Sequence, residues 1–465
     1  MENLQPNDVL AKAEALRNNL STGFRDEIVK SLYTEAEKIA RRAVKTTDDK
    51  KYDFDQKVDR LVTSPIVGLP IMLILLGLVI WLTVSGANVA SEAIANVLFG
   101  LGDLGRNLFN TIGAPWWLTG FIWDGVYLGL AWVISVMLPP MAIFFPAFTF
   151  LEDLGYLPRV AFNLDWIFKK SGAHGKQSLT MAMGFGCNAA GVVATRIIDS
   201  PRERLIAILT NNFVPCNGRF PTLIMLATVF VASAFPAALT SFVAAGTVVG
   251  VVLIGVAFTF IMSWALSRTV LKGEASAFTL ELPPYRKPNF GRILYTSIID
   301  RTIFVLWRAM QTAAPAGAVI WLLANIPYGD VNLARAIANW LNPFGLLFGL
   351  DGVILLAYII AIPANEIVVP TMMMMYMGAG MMIDGPSSNT AIFDLLVNGN
   401  GWTMLTAVNL MLFALLHNPC ATTIITIYKE TKSWKWATVS VVITLGLAFL
   451  VTFLTASVAR LLGWA

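Results

Sequence analysis

The sequence predicts an all-α polytopic membrane protein, and its composition is the first observation that does so. Of the 465 residues, 56% are hydrophobic and only 13% are charged, and the mean hydropathy is +0.67. Soluble globular domains carry about 25% charged residues. Of the 62 charged residues, 24 fall within the first 60 positions. We therefore expect a small cytoplasmic helical segment with a linker at residues 1–63 and a transmembrane permease domain at residues 64–465.

The N-terminal segment carries an amphipathic helical pattern from Asp26 to Val44. Apolar residues recur there at steps of four and three between charged ones, at Ile28, Leu32, Ala36, Ile39 and Ala43. We expect this helix to dock another cytoplasmic domain, and a solvated juxtamembrane helix is the alternative. Residues 46–60 are expected to form a charged linker. The N-terminus has no apolar signal core, which predicts that it stays in the cytoplasm.

Apolar stretches of about 20 residues, the length that spans a bilayer, predict about seven transmembrane helices. Five stretches are continuous and two are interrupted by polar residues or proline, in the order 66–85, 125–149, 238–264, 303–324 and 437–462, then 205–232 and 403–428. Residues 88–110 and 151–171 are shorter and mixed in character, which predicts helices lying in the membrane interface.

Two further apolar stretches contain helix-breaking sequences near their middle. Residues 178–198 contain Gly-Phe-Gly-Cys-Asn, and residues 351–383 contain Pro-Ala-Asn-Glu followed shortly by another proline. A broken helix leaves backbone groups unpaired, which is tolerated at membrane depth only inside protein or beside a water-filled cavity. Both stretches therefore predict broken, re-entrant hairpins.

Basic residues predict the orientation of the chain in the membrane. The basic loops at 1–63, 268–301 and 429–435 are expected on the cytoplasmic side. Basic residues flank the first hairpin at both ends. They can all be cytoplasmic only if the hairpin enters the membrane and returns to the same side. The second hairpin would then enter the membrane from the outside. The sequence thus predicts two gate halves, residues 170–265 and 302–462, in the inverted arrangement that secondary transporters use.

All three cysteines, Cys187, Cys216 and Cys420, lie at expected helix breaks. Their odd number and apolar surroundings argue against a disulfide framework. A buried cysteine often only fills space. Thiols beside polar residues at unwound backbone also suit a soft or borderline metal ion, and Asn188 would add an amide oxygen to such a site.

Glu366 is the only charged residue within the apolar residues 354–382. Burying an ionisable group in a membrane is costly, so such residues typically serve function. We expect Glu366 to face a cation pathway, with Asn365 beside it. The structural alternative is an ion pair with a buried arginine, Arg219 or Arg308.

Seven methionines fall within residues 372–382, and Met372 and Met375 are candidate accessory ligands. Thioethers tolerate late transition metals but not Mg²⁺ or Ca²⁺. Adaptable packing in a moving interface is the alternative. His417 lies on the helical face of the third cysteine and is a further candidate ligand. His174 is expected to be a solvated or interfacial loop residue.

Several functions are excluded by what the sequence lacks. It contains no G-x-x-x-x-G-K-[ST] phosphate loop and no protease motif, so we expect no nucleotide hydrolysis and no other enzyme activity in this chain. It contains no basic stripe that would bind nucleic acid. The lipid bilayer is the one surrounding that the composition itself requires.

These motifs resemble the membrane region of the FeoB ferrous iron transporters. The resemblance spans residues 25–460 and is carried by HGKQS…GFGCNAAGVVATRII, DSPRERLIAILTNNFVPCNGRFP, IPANEIVVPT and LLHNPCATTIITIYKETKSWKWA. It implies Fe²⁺ uptake across the prokaryotic inner membrane through two gates built around the cysteine motifs. It also implies a split or truncated form, whose GTPase is a separate polypeptide that contacts the N-terminal helix, and it allows a small accessory protein of the FeoA type.

The chain departs from the pattern of that family at three places. Ala189 and Ala190 stand where Val-Pro is common, Asn217 and Gly218 where Ser-Ala is common, and His417 where tyrosine is usual. These changes leave Mn²⁺ open beside Fe²⁺. A nucleoside or small organic-ion carrier and a membrane anchor for a separate GTPase are the alternative functions. The oligomeric state is open, and a homo-oligomer is among the alternatives.

Overall fold

The computed structural model describes residues 24–43, 49–64, 66–273, 284–383 and 388–463. Helix α1 (Phe24–Ala43) confirms the predicted amphipathic helix, whose last residue lies outside the described ranges. The charged linker expected at 46–60 is instead largely helical, as α2 (Asp49–Val62). The buried Arg159 anchors this helix because its Nε lies 2.9 Å from Asp59 Oδ1.

The remaining described helices follow in chain order as α3 Gly68–Thr111, α4 Trp116–Asp153, α5 Tyr156–Lys170, α6 Gln177–Gly186, α7 Asn188–Ala194, α8 Pro201–Thr210, α9 Phe220–Leu226, α10 Ala237–Arg268, α11 Phe290–Asn325, α12 Leu333–Leu347, α13 Gly352–Ile360, α14 Val368–Met377, α15 Asn389–Val397, α16 Met404–Leu416, α17 Ala421–Thr431 and α18 Trp434–Leu461. Strands β1 (Pro327–Tyr328) and β2 (Val331–Asn332) form a short antiparallel pair.

Several of these helices are locally irregular. π-helical turns lie at Gly120–Tyr127 in α4, at Ala227–Val231 after α9 and at Thr296–Ile303 in α11. Short 3₁₀ turns occupy Thr195–Ile197, Asn211–Phe213, Asn217–Arg219, Ala232–Ala234 and Asn365–Ile367. Such departures from α geometry are frequent at functional sites.

The described residues contain six helical segments long and apolar enough to cross a membrane, or seven if the bent pair α12 and α13 is counted as one span. The prediction of a polytopic helical membrane protein is confirmed. The predicted division of residues 66–110 into a span and an interfacial helix is wrong, because α3 runs through 44 residues without a break. No proline interrupts residues 84–111, and a glycine inside a helix costs only about 1 kcal/mol.

The first hairpin consists of α6 and α7 (residues 177–194), which are separated by one extended residue. Cys187 has φ −154° and ψ 125°, so the helix stops there and begins again at Asn188. The two ends of the hairpin meet, because Lys176 Nζ donates to Asp199 Oδ2 at 2.9 Å and to the Ile197 carbonyl at 3.0 Å. The chain therefore turns back at Cys187 and returns to the end from which it started, which confirms the predicted hairpin but not its place in the membrane.

The second hairpin (residues 352–377) is built in the same way from α13 and α14. Residues 361–364 form an open turn, and the 3₁₀ turn Asn365–Ile367 leads into α14. The hairpin closes at its base, where Tyr376 Oη donates to Asp351 Oδ2 at 2.6 Å. The predicted break in this stretch is confirmed.

Two interrupted helical segments, residues 201–234 and 404–431, run alongside the hairpins. At the Lys176 end, Arg204 lies 3.2 Å from Glu430. At the Asp351 end, the rings of Phe230 and Trp402 stack with centroids 5.8 Å apart, and Trp402 Nε1 donates to Asp351. Both segments break halfway between these ends.

Candidate metal pathway

The helix breaks converge in the middle of the domain. Asn212, in the break after α8, donates to the carbonyl of His417, in the break before α17, at 2.8 Å. The backbone N–H of Ala421 donates to the Ile362 carbonyl in the turn of the second hairpin, also at 2.8 Å. These bonds use backbone groups that a continuous helix would have satisfied internally. Hydrogen bonds thus connect unwound backbone from both halves of the chain.

Glu366 lies on the 3₁₀ turn of the second hairpin and is half-buried. Its carboxylate packs against the backbone of Gly218, where an added Cβ would lie 2.3 Å from Glu366 Oε1. A side chain at position 218 would therefore occupy the place of the carboxylate. The sequence predicted a functional Glu366 but gave no sign of this contact with the other half of the chain.

The described residues do not support the alternative that Glu366 pairs with a buried arginine. Arg219 directs its guanidinium at carbonyl groups, including those of Asn212 and Leu415 at 2.8 Å each. Arg308 lies over the ring of Phe304, 4.3 Å from its centroid.

The three thiols lie in the region of these helix breaks. Cys216 is buried, Cys187 and Cys420 are half-buried, and all three are free. The thiols lie within electrostatic range of one another, and Cys216 and Cys420 are also within range of Glu366. Cys420 Sγ lies 3.3 Å from the hydroxyl of Thr423. Four of the predicted site residues therefore share one region.

These groups do not form a closed coordination shell. In the ranges that the structure describes, no three His, Cys, Asp or Glu side chains stand close enough to hold one metal ion together. The arrangement suits successive sites along a path better than one tight site. A transported ion must bind weakly enough to leave.

The predicted amide and imidazole ligands have different surroundings. The side-chain amide of Asn188 lies 3.1 Å from Asn212 Oδ1 and within 3.2 Å of the carbonyls of Val214 and Gly184, so it belongs to the framework around the breaks. Asn365 Oδ1 lies 3.4 Å from His417 Nε2, and the other ring nitrogen of His417 lies 2.9 Å from the Ala414 carbonyl. The structure thus brings Asn365 and His417 together and holds Asn188 in a structural network.

Four of the five methionines of α14, at positions 372 to 375, are buried in the apolar core, and Met377 is exposed. Met372 has no exposed surface and Met375 is 5% exposed, and both belong to the main hydrophobic cluster. Their ligand role stays a prediction. His174 is not the solvated loop residue that we expected, because it is only 7% exposed and its Nδ1 accepts from the Lys176 N–H at 3.0 Å.

Sequence reasoning missed the part that Arg219 plays. This residue is 2% exposed, and it donates to backbone carbonyls of both interrupted segments, at Asn212, Leu415, His417 and Asn418. A charge this deep needs hydrogen-bond partners for its donors. The neighbouring Pro-Cys break was the only signal for it, since carbonyl partners leave no trace in a sequence.

Comparison with known proteins places these breaks in a family context. A family model described as "Gate: Nucleoside recognition" matches residues 134–230, and one described as "Ferrous iron transport protein B C terminus" matches residues 248–300. The first match contains Cys187 and Cys216. No solved structure matches the chain.

Curated relatives cover almost the whole chain. The "Fe(2+) transporter FeoB" of Staphylococcus aureus (strain MSSA476) is 29% identical over 96% of this chain and 67% of its own length. The chain matches the membrane region of FeoB. The FeoB of Campylobacter jejuni is 28% identical over 88% of this chain and 66% of its own length. The chain therefore spans about two thirds of the length of these FeoB relatives, and the resemblance that its motifs predicted is confirmed.

A third FeoB relative is a fusion. The "Fe(2+) transport protein A/Fe(2+) transporter FeoB fusion protein" of Porphyromonas gingivalis is 27% identical over 96% of this chain and 55% of its own length. Its name joins two transport proteins in one polypeptide.

Proposed function

We propose that this protein transports a divalent transition-metal ion, Fe²⁺, across the prokaryotic cytoplasmic membrane along a path between the helix breaks. The observation that carries this proposal is the carboxylate of Glu366 on Gly218, near the thiols of Cys216 and Cys420 from two separate breaks. Relatives that cover nearly all of the chain are named Fe(2+) transporters.

The chemistry of the path suits such an ion. Thiols, one carboxylate, the amide of Asn365 and the imidazole of His417 are ligands for borderline metals, whereas Mg²⁺ and Ca²⁺ prefer oxygen alone. A hydrated ion would exchange its waters in turn for these groups. Mn²⁺ is the alternative cargo, because the same ligands accept it.

The two hairpins are inverted relative to each other in this proposal. The first closes at the Lys176 end and the second at the Asp351 end, and α16 and α17 run from one end to the other through the central break. Lys169, Lys170 and Arg202 cluster at the Lys176 end, which favours the cytoplasmic side for it. Alternating access then arises when one half moves against the other.

Helix α1 would be the contact for a separate GTPase. The apolar residues of its stripe are exposed in this chain, among them Ile28 at 44%, Leu32 at 65% and Ile39 at 60%. A cytoplasmic partner would cover them. The fusion relative supports a protein of the FeoA type as a second partner.

A nucleoside carrier is the second candidate, because the family model that matches residues 134–230 is described by nucleoside recognition. The thiols argue against it, since a nucleoside site needs hydrogen-bond partners rather than soft ligands. A membrane anchor for a GTPase is the third, and it gives no reason for a carboxylate among the breaks.

The test is uptake of ⁵⁵Fe²⁺ into proteoliposomes under reducing conditions, with Mn²⁺ and a nucleoside as competitors. We expect uptake to be lost in Glu366→Gln and in the variant with all three cysteines changed to serine. Glu92→Gln, which changes an exposed carboxylate on α3, is the matched control and should transport normally. Gel filtration and thermal unfolding show that each variant folds.

Each result has one meaning. Full uptake in the cysteine-free variant would overturn the ligand role of the thiols, and nucleoside flux without Fe²⁺ flux would favour the second candidate. If the unmodified protein shows no flux of either substrate, also with a GTPase partner present, the membrane anchor would be the candidate that remains.

A further inference from the structure

A cavity of about 510 Å³ opens beside the first hairpin. Its walls come from α4, α5, α6, α7, α11 and α17, so it touches both halves of the domain. Among the described residues that line it, only one side chain is a carboxylate and none is a thiol. It therefore differs in chemistry from the central site.

The deep end of the cavity lies beside two of the helix breaks. Ala189 and Ala190 line it, and they follow Cys187 and Asn188 directly in the chain. Thr422, two residues beyond Cys420, lines it from the other half. The space therefore extends to the edge of the thiol region.

The mouth of the cavity lies at the Lys176 end. Ile197 lines it, and the carbonyl of Ile197 accepts from Lys176. Across the mouth, Arg301 Nη2 lies 3.3 Å from Glu152 Oε2, and Glu152 is half-exposed. The basic loops at this end point to the cytoplasm.

We propose that this cavity is the inner vestibule through which the metal ion leaves the central site. The inference rests on the proposed function, to which it adds the exit route. Six waters occupy about 180 Å³ at about 30 Å³ each, so the cavity has room for an ion that has regained its hydration shell.

The charges of the vestibule favour release. Arg301 and Arg308 line it against the carboxylate of Glu152, and that carboxylate is already paired with Arg301. Like charge repels a cation that would remain there. The described lining of the vestibule holds no thiol, and the thioether of Met183 is the one soft ligand that it offers a dehydrated ion. The ion passes through hydrated and does not bind.

Substituted-cysteine labelling tests the vestibule. Val193 lines the cavity on α7 and is 36% exposed. In Val193→Cys, we expect a charged methanethiosulfonate reagent to label the protein from the cytoplasmic side only, above the labelling of the unmodified chain with its three native thiols. Val249→Cys, at an exposed apolar position of α10 outside the cavity, should react only with a membrane-soluble maleimide.

A blocking substitution supplies the second arm. Ala190→Trp would fill the deep end, so we expect it to abolish ⁵⁵Fe²⁺ uptake, whereas Val249→Trp should keep it. Val193→Trp gives the same block from a more exposed position if Ala190→Trp fails to fold by gel filtration.

The labelling experiment and the blocking substitution distinguish a failure of the vestibule proposal from a failure of the proposed transport function. Labelling of Val193→Cys only from outside, or only by the membrane-soluble reagent, would overturn the vestibule even if Fe²⁺ uptake is robust. Uptake at the unmodified rate in a folded Ala190→Trp protein would do the same. Inside labelling without any Fe²⁺ uptake by the unmodified protein would overturn the proposed function, and the metal exit with it.

Discussion

The carboxylate of Glu366 lies against the backbone of Gly218, so closely that a Cβ at position 218 would meet Glu366 Oε1 at 2.3 Å. The two residues are 148 positions apart and belong to different halves of the domain. Glycine at position 218 accommodates the close approach of this neighbour and not an unusual backbone conformation, since Gly218 is absent from the glycines with positive φ. The contact fixes where the carboxylate stands relative to the thiols.

Gly218→Ala should therefore impair transport more than stability. The group that the new methyl meets is the flexible end of Glu366, which can rotate away at little cost to folding. We expect ⁵⁵Fe²⁺ uptake to fall by roughly tenfold, equivalent to about 1.4 kcal/mol in the transport barrier, while thermal unfolding in detergent changes little.

The control for this change is Gly250→Ala in α10, where an added Cβ meets nothing within 4 Å. It should transport normally and be slightly more stable, since alanine favours a helix. Normal uptake in Gly218→Ala would show that the position of the carboxylate is unimportant.

Arg219→Gln should destabilise the protein strongly. The guanidinium of Arg219 bonds carbonyls of both interrupted segments, and its loss takes this donor from the buried carbonyls of Asn212 and Leu415, while the His417 carbonyl still accepts from Asn212. Each such acceptor costs about 1–3 kcal/mol, so we expect a loss of roughly 3 kcal/mol or more in the free energy of unfolding. Denaturant unfolding in detergent measures it.

Arg268→Gln is the matched comparison for Arg219→Gln. Arg268 is an exposed residue of α10 that lies over the ring of Trp264, and its loss should cost less than about 0.5 kcal/mol. Equal effects of the two substitutions would mean that the buried network contributes nothing specific.

The elements that the sequence predicted well are those with a local signal. Both hairpin breaks were visible because glycine, proline and asparagine interrupt apolar stretches that are otherwise long enough to span a membrane. The helix α1 was visible from its periodicity. The placement of Cys187, Cys216 and Cys420 at breaks was visible in the same way, whereas their arrangement relative to one another was not.

The features that the sequence did not reveal depend on distant partners. The helix α2 is held by Arg159, 100 residues away from Asp59. Arg219 bonds carbonyl oxygens nearly 200 residues away, and every residue type carries a carbonyl. Residues 88–110 contain both apolar and polar side chains, which hid the fact that α3 continues through them without a break. Such contacts arise from tertiary packing, which no single-sequence pattern contains.

His417→Phe should separate a ligand role from packing. Phenylalanine keeps the aromatic contacts with Tyr358 and Phe413 but loses the bonds to the Ala414 carbonyl and Asn365. We expect a stability loss of about 1 kcal/mol and a several-fold rise in KM for Fe²⁺ in uptake assays.

Phe413→Leu is the complementary variant to His417→Phe, because it changes the packing around the imidazole and keeps the candidate ligand. It removes a ring contact and leaves the imidazole in place, so stability should fall while KM for Fe²⁺ stays unchanged. An unchanged KM in His417→Phe would remove His417 from the candidate ligands.

Stability at the base of the first hairpin should depend on pH through His174. Burial lowers the pKa of His174 below its ordinary value of 6.5, Lys176 lowers it further, and the nearby carboxylates of Glu203, Asp165 and Asp199 oppose this. Because the folded-state pKa is the lower one, the contribution of neutral His174 is complete above pH 6.5 and is lost as the pH falls below it. The slope cannot exceed about 1.4 kcal/mol per pH unit for one proton.

Thermal unfolding measured from about pH 7.5 down to about pH 5 checks this slope against two variants. His174→Asn keeps an acceptor for the Lys176 N–H and should flatten the loss of stability on acidification. Asp199→Asn is the control, because its bond to Lys176 lowers the pKa of Asp199 from 3.8, which places its own titration below the window. That variant should keep the loss of stability on acidification, which is no smaller than in the unmodified protein because Asp199 no longer raises the pKa of His174. Parallel curves for His174→Asn and the unmodified protein would instead assign the acid sensitivity to another group, and the buried imidazole would then serve only to fill the hairpin base.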